Sequence, residues 1–216
     1  MNCLRCVRCH ILVVWLGLGV AMASVPALAT DTAFKESAEL GTRASQTAKS
    51  VDKYVAQLEK TEQALSAVIQ AHDKELKRRY QSFADQVGKL EEAQRVVTGD
   101  ISAMKARGAT YTASWDRANA QITNAELKQA SMDRRAVVMK SYDELSVRLS
   151  EIEHRLEPFM VDLRDLRTFL GADLAPVHVQ SASAAVQKSQ ADAMSLELAI
   201  APVQTMLRQF VNDAPK

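Results

Sequence analysis

Apolar residues recur at alternating steps of three and four along almost the whole chain after residue 43. This spacing places one apolar stripe on an α-helix, and a stripe that persists over many heptads lets helices pack as in a coiled coil. The most regular of four such runs contains Val138, Tyr142, Leu145, Leu149, Ile152, Leu156, Phe159, Leu163, Leu166 and Leu170. The pattern therefore predicts long helices, each with one buried face.

Three further runs have the same spacing and cover residues 44–69, 76–122 and 179–210. Their stripes include three polar residues: Glu62, Gln94 and Ser189. Polar residues in a coiled-coil stripe fix the register and the choice of partner. An equally good interpretation is that the bundle is thin at these points or that the phase is misassigned.

Changes in the heptad phase locate the turns between the helices. A turn is expected just before Asn124, which suits the N-cap of the next helix. After the third run, Gly171 is expected to end the helix in a left-handed conformation, with Asp173 and Pro176 starting the next one. Near Asp73 the phase slips by one position, a pattern that fits either a turn capped by Asp73 or a stutter in one continuous helix.

The sequence therefore predicts an all-α protein, an elongated antiparallel bundle of three or four long heptad-patterned helices over residues 33–71, 74–122, 125–170 and 174–211. The composition agrees, since 47% of the residues are apolar but only 5% are aromatic, with seven Gly and five Pro. The glycines of the second run do not disturb its phase. Pro158 and Pro202 are expected to kink their helices without ending them.

The first 29 residues have the design of a secretory signal peptide. Arg5 and Arg8 precede a short apolar run at residues 11–20, and Ala27-Leu28-Ala29 supplies a small-x-small cleavage pattern. Cleavage is expected after Ala29 and leaves residues 30–216 as a single elongated helical-bundle domain. The alternative is a retained membrane anchor, for which the apolar run is short.

Cysteine positions and net charge narrow the function classes further. All three cysteines, at positions 3, 6 and 9, precede the apolar run, so the exported chain has no thiol for a disulfide, a metal site or a nucleophile. A lipoprotein needs a cysteine directly after that run. The expected product is a periplasmic protein without a lipid anchor. Without Arg5 and Arg8 it has 25 basic and 26 acidic residues, a balance that disfavours nucleic acid as a partner.

Glu151-x-x-His154 is the one pattern that resembles a metal motif. Di-iron bundles need this motif on two helices, with a further Glu from each of the others. Here it occurs once, and His154 lies midway between the stripe residues Ile152 and Leu156, where it should face solvent. No Ser-His-acid arrangement or Gly-rich phosphate loop is recognisable. The sequence thus predicts no catalytic, metal-binding or cofactor-binding residue and no cofactor.

Two basic clusters are candidate contacts for phospholipid headgroups or for an acidic partner. They consist of Lys74, Lys77, Arg78 and Arg79, and of Arg134 and Arg135. The competing interpretation is ordinary surface charge, because Asp73, Glu75 and Asp133 lie beside them.

Several segments, in this order, resemble an uncharacterised bacterial family catalogued as a domain of unknown function, number 2959. The segments are Glu75-Leu76-Lys77-Arg78-Arg79-Tyr80, Trp115, Asn124-Ala125-Glu126-Leu127, Ser131, Arg134-Arg135, Tyr142-Asp143-Glu144-Leu145, Glu157-Pro158, Leu163-Arg164-Asp165-Leu166 and Phe169-Leu170. The resemblance implies a helical exported protein and no mechanism. The chain departs from it in having Asp73-Lys74 in place of a Gly-Gly turn and in lacking the lipoprotein cysteine.

The sequence is most typical of a non-enzymatic structural or interaction protein of the bacterial cell envelope, with an envelope protein or a second copy of itself as partner. One alternative is a module that binds the membrane surface peripherally through the Lys74, Lys77, Arg78 and Arg79 cluster. The other is a metal-binding helical bundle.

Overall fold

A computed structural model describes residues 27–213, which form α-helices without a strand. The helices are α1 (Ala27–Ile69), α2 (Asp73–Gln121), α3 (Ala125–Ala172), α4 (Pro176–Ser181) and α5 (Ser183–Asp213). The predicted all-α class is confirmed. Within residues 27–213, no helix combines the length and apolar character that a bilayer span requires. The predicted signal peptide and the three cysteines lie outside the described residues, apart from Ala27-Leu28-Ala29 in the first turn of α1.

The four long helices form an up-down bundle that closes on itself. α1 packs against α2 and α5, and α3 packs against the same two helices, so the four follow one another around a ring. Short turns make each helix antiparallel to its neighbours. With 49 residues, α2 is about 73 Å long at about 1.5 Å per residue, so the bundle is elongated.

The predicted stripes form the core. Every residue of the third run after Val138 is buried, and so is nearly all of the fourth run. α1 buries a wider face than its stripe predicts, because it packs closely along most of α2 in addition to its contact with α5. Tyr54, Thr61 and Val68 are fully buried although they lie outside the predicted stripe.

Small and hydroxylated residues bring α1 and α2 close together. Thr47 Oγ1 lies 3.2 Å from the carbonyl oxygen of Asp100 on α2, and Thr61 Oγ1 lies 3.3 Å from that of Gln86. Both hydroxyls also bond to their own helix. Contacts between a side-chain hydroxyl and the facing backbone require a short distance between the helix axes, which the small side chains at this interface permit.

Most turns lie where the changes in heptad phase predicted them. Asn124 is the predicted N-cap, and its Oδ1 accepts a hydrogen bond of 3.0 Å from the amide of Leu127. Of the two alternatives near Asp73, a turn and a stutter, the structure has a turn between α1 and α2, and its N-cap residue is His72 instead of Asp73. Both α3 and α5 continue through their internal prolines, Pro158 and Pro202.

The prediction for Gly171 is wrong. This residue lies inside α3 and does not end the helix in a left-handed conformation. Its missing side chain leaves room for Tyr80 of α2, whose hydroxyl donates a 3.1 Å hydrogen bond to the carbonyl oxygen of Arg167. Gly171 is therefore needed for space, since any Cβ there would overlap the tyrosine hydroxyl.

A matching contact lies towards the other end of the α2–α3 interface. Tyr142 of α3 packs over Gly108 of α2 and donates a 3.1 Å hydrogen bond to the carbonyl oxygen of Lys105. A Cβ on Gly108 would overlap the Tyr142 ring. Each of the two helices thus presents one tyrosine to a glycine on the other.

The helix expected over residues 174–211 is divided in two at Ala182, between α4 and α5. There the amide of Ala182 bonds to Val179, three residues back, instead of four. Val179, Ala182 and Val186 are all buried across the break. The stripe keeps its phase, so the heptad pattern carries no sign of this interruption.

Candidate functional site

The bundle is incompletely packed at the end where α1 and α3 begin and where α2 and α5 finish. Residues 125–141 of α3 include no buried side chain. This segment is held mainly to α2. Trp115 Nε1 donates to Ser131 Oγ at 3.1 Å, and Ser131 Oγ donates to Asn119 Oδ1 at 2.5 Å. The first part of α3 is therefore fixed in place while one of its faces stays uncovered.

This uncovered face borders a cleft of about 370 Å³ between α3 and α5, which we call the end cleft. Residues of all four long helices line it. Its apolar lining residues are Leu40, Tyr111, Trp115, Val137, Val138, Met206 and Phe210. Ligand sites in helical proteins are often clefts of this size between helices, with apolar walls and few polar groups.

Three aromatic side chains, Tyr111, Trp115 and Phe210, line the end cleft, and Tyr142 packs beside Phe210. The rings of Tyr111 and Trp115 have centroids 5.3 Å apart, and those of Tyr142 and Phe210 are 6.2 Å apart. Burial raises the pKa of Tyr111 above its usual value. Aromatic side chains contribute large contact areas at binding surfaces.

The rim of the end cleft has charges of both signs. Arg134, Glu144 and Asp213 line it, and none of the three forms an ion pair with another described residue. The neighbouring Arg135 differs, because its Nε lies 2.8 Å from the carboxylate of Asp116. The rim thus presents charges of both signs beside the apolar lining of the cleft.

Four residues of α3 that line the end cleft have the spacing of a second stripe. Arg134, Val137, Ser141 and Glu144 follow one another at steps of three, four and three, and all four are exposed. This face lies beside the buried stripe of the same helix. Sequence analysis did not identify this face because only one of its four residues is apolar. The steps of three and four between the residues are nevertheless visible in the sequence.

The first predicted basic cluster lies at the opposite end of the bundle, in the first turns of α2. Lys74, Lys77 and Arg78 are exposed, and Arg79 is partly exposed. Both arginines pair with Glu75, at 3.0 and 3.1 Å. The hydrogen bond from Arg79 and the two positive charges lower the pKa of Glu75.

The structure does not bring the two basic clusters together. Arg135 pairs with Asp116, and Asp116 lies about 55 Å along α2 from Arg79 at about 1.5 Å per residue. Arg134 and Arg135 also have different surroundings. Arg134 lines the end cleft, whereas Arg135 forms an ion pair with Asp116 of α2. The six predicted contact residues thus do not form a single surface.

The Glu151-x-x-His154 pattern lies on an exposed face of α3, as predicted for His154. Glu151 pairs with Arg148 at 3.1 Å. Among residues 27–213, no group of three or more His, Cys, Asp or Glu side chains is placed to hold a metal ion.

The polar stripe residues form contacts between helices. Glu62 of α1 accepts a hydrogen bond of 3.4 Å from Ser189 of α5, and Gln94 of α2 donates one of 2.9 Å to Glu157 of α3. The second carboxylate oxygen of Glu62 is buried without a partner. Burial raises the pKa of Glu62 to about 7, and the nearby charge of Glu197 adds to the effect.

This raised pKa gives a pH dependence of stability. The pKa of Glu62 is higher in the folded protein than its usual value of 4.5, so the folded state binds the proton more tightly. The free energy of unfolding should therefore fall as the pH rises from about 4.5 through about 7, by about 1–3 kcal/mol. Urea unfolding at several pH values measures this, and Glu62→Gln should flatten that part of the profile. An unchanged profile in Glu62→Gln would contradict the assignment.

Comparison with known proteins supplies a family but no relative of known function. No curated protein and no solved structure matches the chain. The model of a family described as "Protein of unknown function (DUF2959)" matches residues 35–212, which include nearly the whole described bundle. The chain belongs to this family.

Proposed function

We propose that this is a non-enzymatic interaction protein of the bacterial cell envelope, which binds a protein partner through the end cleft. The main support is the end cleft itself, where aromatic and aliphatic side chains of four helices meet beside an uncovered helix face. Grooves between helices commonly receive an amphipathic helix of a partner. Unpaired charges at the rim suit the polar edge of a protein interface.

The arrangement of the polar groups favours binding over catalysis. Arg134 and Glu144 are about 15 Å apart along α3 at about 1.5 Å per residue. General acid–base or nucleophilic chemistry needs groups within hydrogen-bonding distance of one reacting centre. Charges spread along a rim are better suited to fixing the orientation of a partner.

The proposed compartment is the periplasm. It rests on the predicted signal peptide of residues 1–29. The lack of a cysteine directly after the apolar run argues against a lipid anchor. The partner would then be an envelope protein or another copy of the chain.

The test is site-specific photocross-linking in living cells. A photoreactive amino acid at Val137, which is 59% exposed in the end cleft, should capture a partner protein. The same amino acid at Leu198 is the matched control, since this residue is 71% exposed on α5 but lies outside the cleft. Equal capture at both positions, or none at either, would contradict the proposal. The same amino acid at Lys77 tests the basic cluster at the other end of the bundle. Capture from Lys77 alone would place the binding site there instead of in the end cleft.

A further inference from the structure

We propose that the occupant of the end cleft is a second copy of this chain, bound so that the two α3 helices pair antiparallel about a two-fold axis. The inference rests on the proposed function, because it names the partner of the same cleft. It is drawn from the order of residues on the exposed stripe of Arg134, Val137, Ser141 and Glu144.

The stripe is complementary to its own reversed copy. A two-fold axis that crosses α3 midway between Val137 and Ser141 places Val137 of one copy opposite Ser141 of the other. The same axis places Arg134 of each copy opposite Glu144 of the other copy. One helix pair thus forms two ion pairs at its ends and a contact between small side chains at its centre.

The charges select this orientation. A parallel pair in register would place Arg134 beside Arg134 and Glu144 beside Glu144, and like charges face to face are repulsive. Among the described side chains of a single copy neither residue has an ion-pair partner, so association breaks no ion pair between them.

The apolar surroundings support the same occupant. Val137 is 59% exposed, and Leu127 on the same uncovered part of α3 is 64% exposed. A second α3 in the groove between α3 and α5 would lie against Val137 and Phe210, which both line the end cleft. Covering exposed apolar side chains is the usual driving force of association.

The experiment is sedimentation equilibrium on the purified full-length exported protein, with charge-reversal variants. We expect a dimer. Arg134→Glu and Glu144→Arg should each raise the dissociation constant about tenfold or more, because each replaces both ion pairs of the dimer by pairs of like charges. The double variant Arg134→Glu/Glu144→Arg should recover most of the affinity, because it restores both ion pairs in reversed order. All these positions are exposed, and circular dichroism checks that each variant folds.

Lys89→Glu is the control, since Lys89 is exposed on α2, does not line the end cleft and lies on a different helix from the proposed interface. It should leave the dissociation constant unchanged. A protein that stays monomeric at all concentrations, or a dimer indifferent to both single reversals, would overturn the inference. If the protein is monomeric while Val137 still captures a different protein in cells, self-association fails and the proposed function stands. A monomer without capture at Val137 removes both.

Discussion

Leu149→Ala and Leu163→Ala should each lower the free energy of unfolding by about 2–5 kcal/mol. Both leucines have 0% exposure on the buried stripe of α3. Removing most of either side chain loses its burial and leaves a cavity that the facing helices cannot fill completely. Equilibrium unfolding in urea measures the effect, as a lower midpoint with an unchanged slope.

His154→Ala is the matched control on the same helix. His154 lies between the two leucines in sequence but is exposed, so its replacement should change the free energy of unfolding by less than about 0.5 kcal/mol. A loss at His154 as large as that at Leu149 would mean that the buried face of α3 is wrongly assigned.

Gly108→Ala should destabilise the protein by about 1–3 kcal/mol, against the usual direction of this substitution in a helix. Alanine normally gains about 1 kcal/mol over glycine in a helix interior. At Gly108, however, the added Cβ would overlap the Tyr142 ring, which must then move and lose its hydrogen bond to Lys105. Thermal or urea unfolding shows whether the variant is less or more stable than the unmodified protein.

Gly99→Ala in the same helix should do the opposite. A Cβ on Gly99 meets nothing within 4 Å, so the variant should be stabilised by up to about 1 kcal/mol. Replacing Tyr142 with the smaller leucine should also reduce the cost of Gly108→Ala, because the overlapping ring is gone. Stabilisation by both glycine substitutions would contradict the contact between Gly108 and Tyr142.

The long helices were predictable because their main signal is local. The burial of Leu145 and Leu149 follows from their positions in the apolar repeat of α3. It requires that other helices pack on this face, but not any particular ones. The same holds for Val186 and Leu196 on α5. The cap at Asn124 is also local, since its side chain bonds to an amide three residues ahead.

Features that depend on contacts between helices were not predictable in this way. Tyr54 is buried because it lies on the face of α1 that packs closely along α2, and the predicted stripe does not include this face. Gly171 suggested a helix end from its residue type, but its role depends on Tyr80 of another helix. The break at Ala182 preserves the stripe, so periodicity alone could not reveal it.

The end cleft was missed for a related reason. The cleft exists because the neighbouring helices do not cover the first residues of α3. How far one helix extends past another along the bundle axis is not encoded in the apolar stripe of either helix. Arg134 and Arg135 were treated as one cluster, yet successive residues on a helix point about 100° apart. One of them therefore reaches the cleft while the other binds Asp116.

The two tyrosine–glycine contacts link the lengths of α2 and α3. Tyr80 and Lys105 on α2 have the same separation in sequence as Tyr142 and Arg167 on α3, about 38 Å along each helix at about 1.5 Å per residue. Deleting one heptad from a single helix would preserve its apolar stripe but would shift one tyrosine about 10 Å from its carbonyl acceptor. Length changes in this part of the hairpin must therefore occur in both helices together, even where the apolar pattern would tolerate them separately.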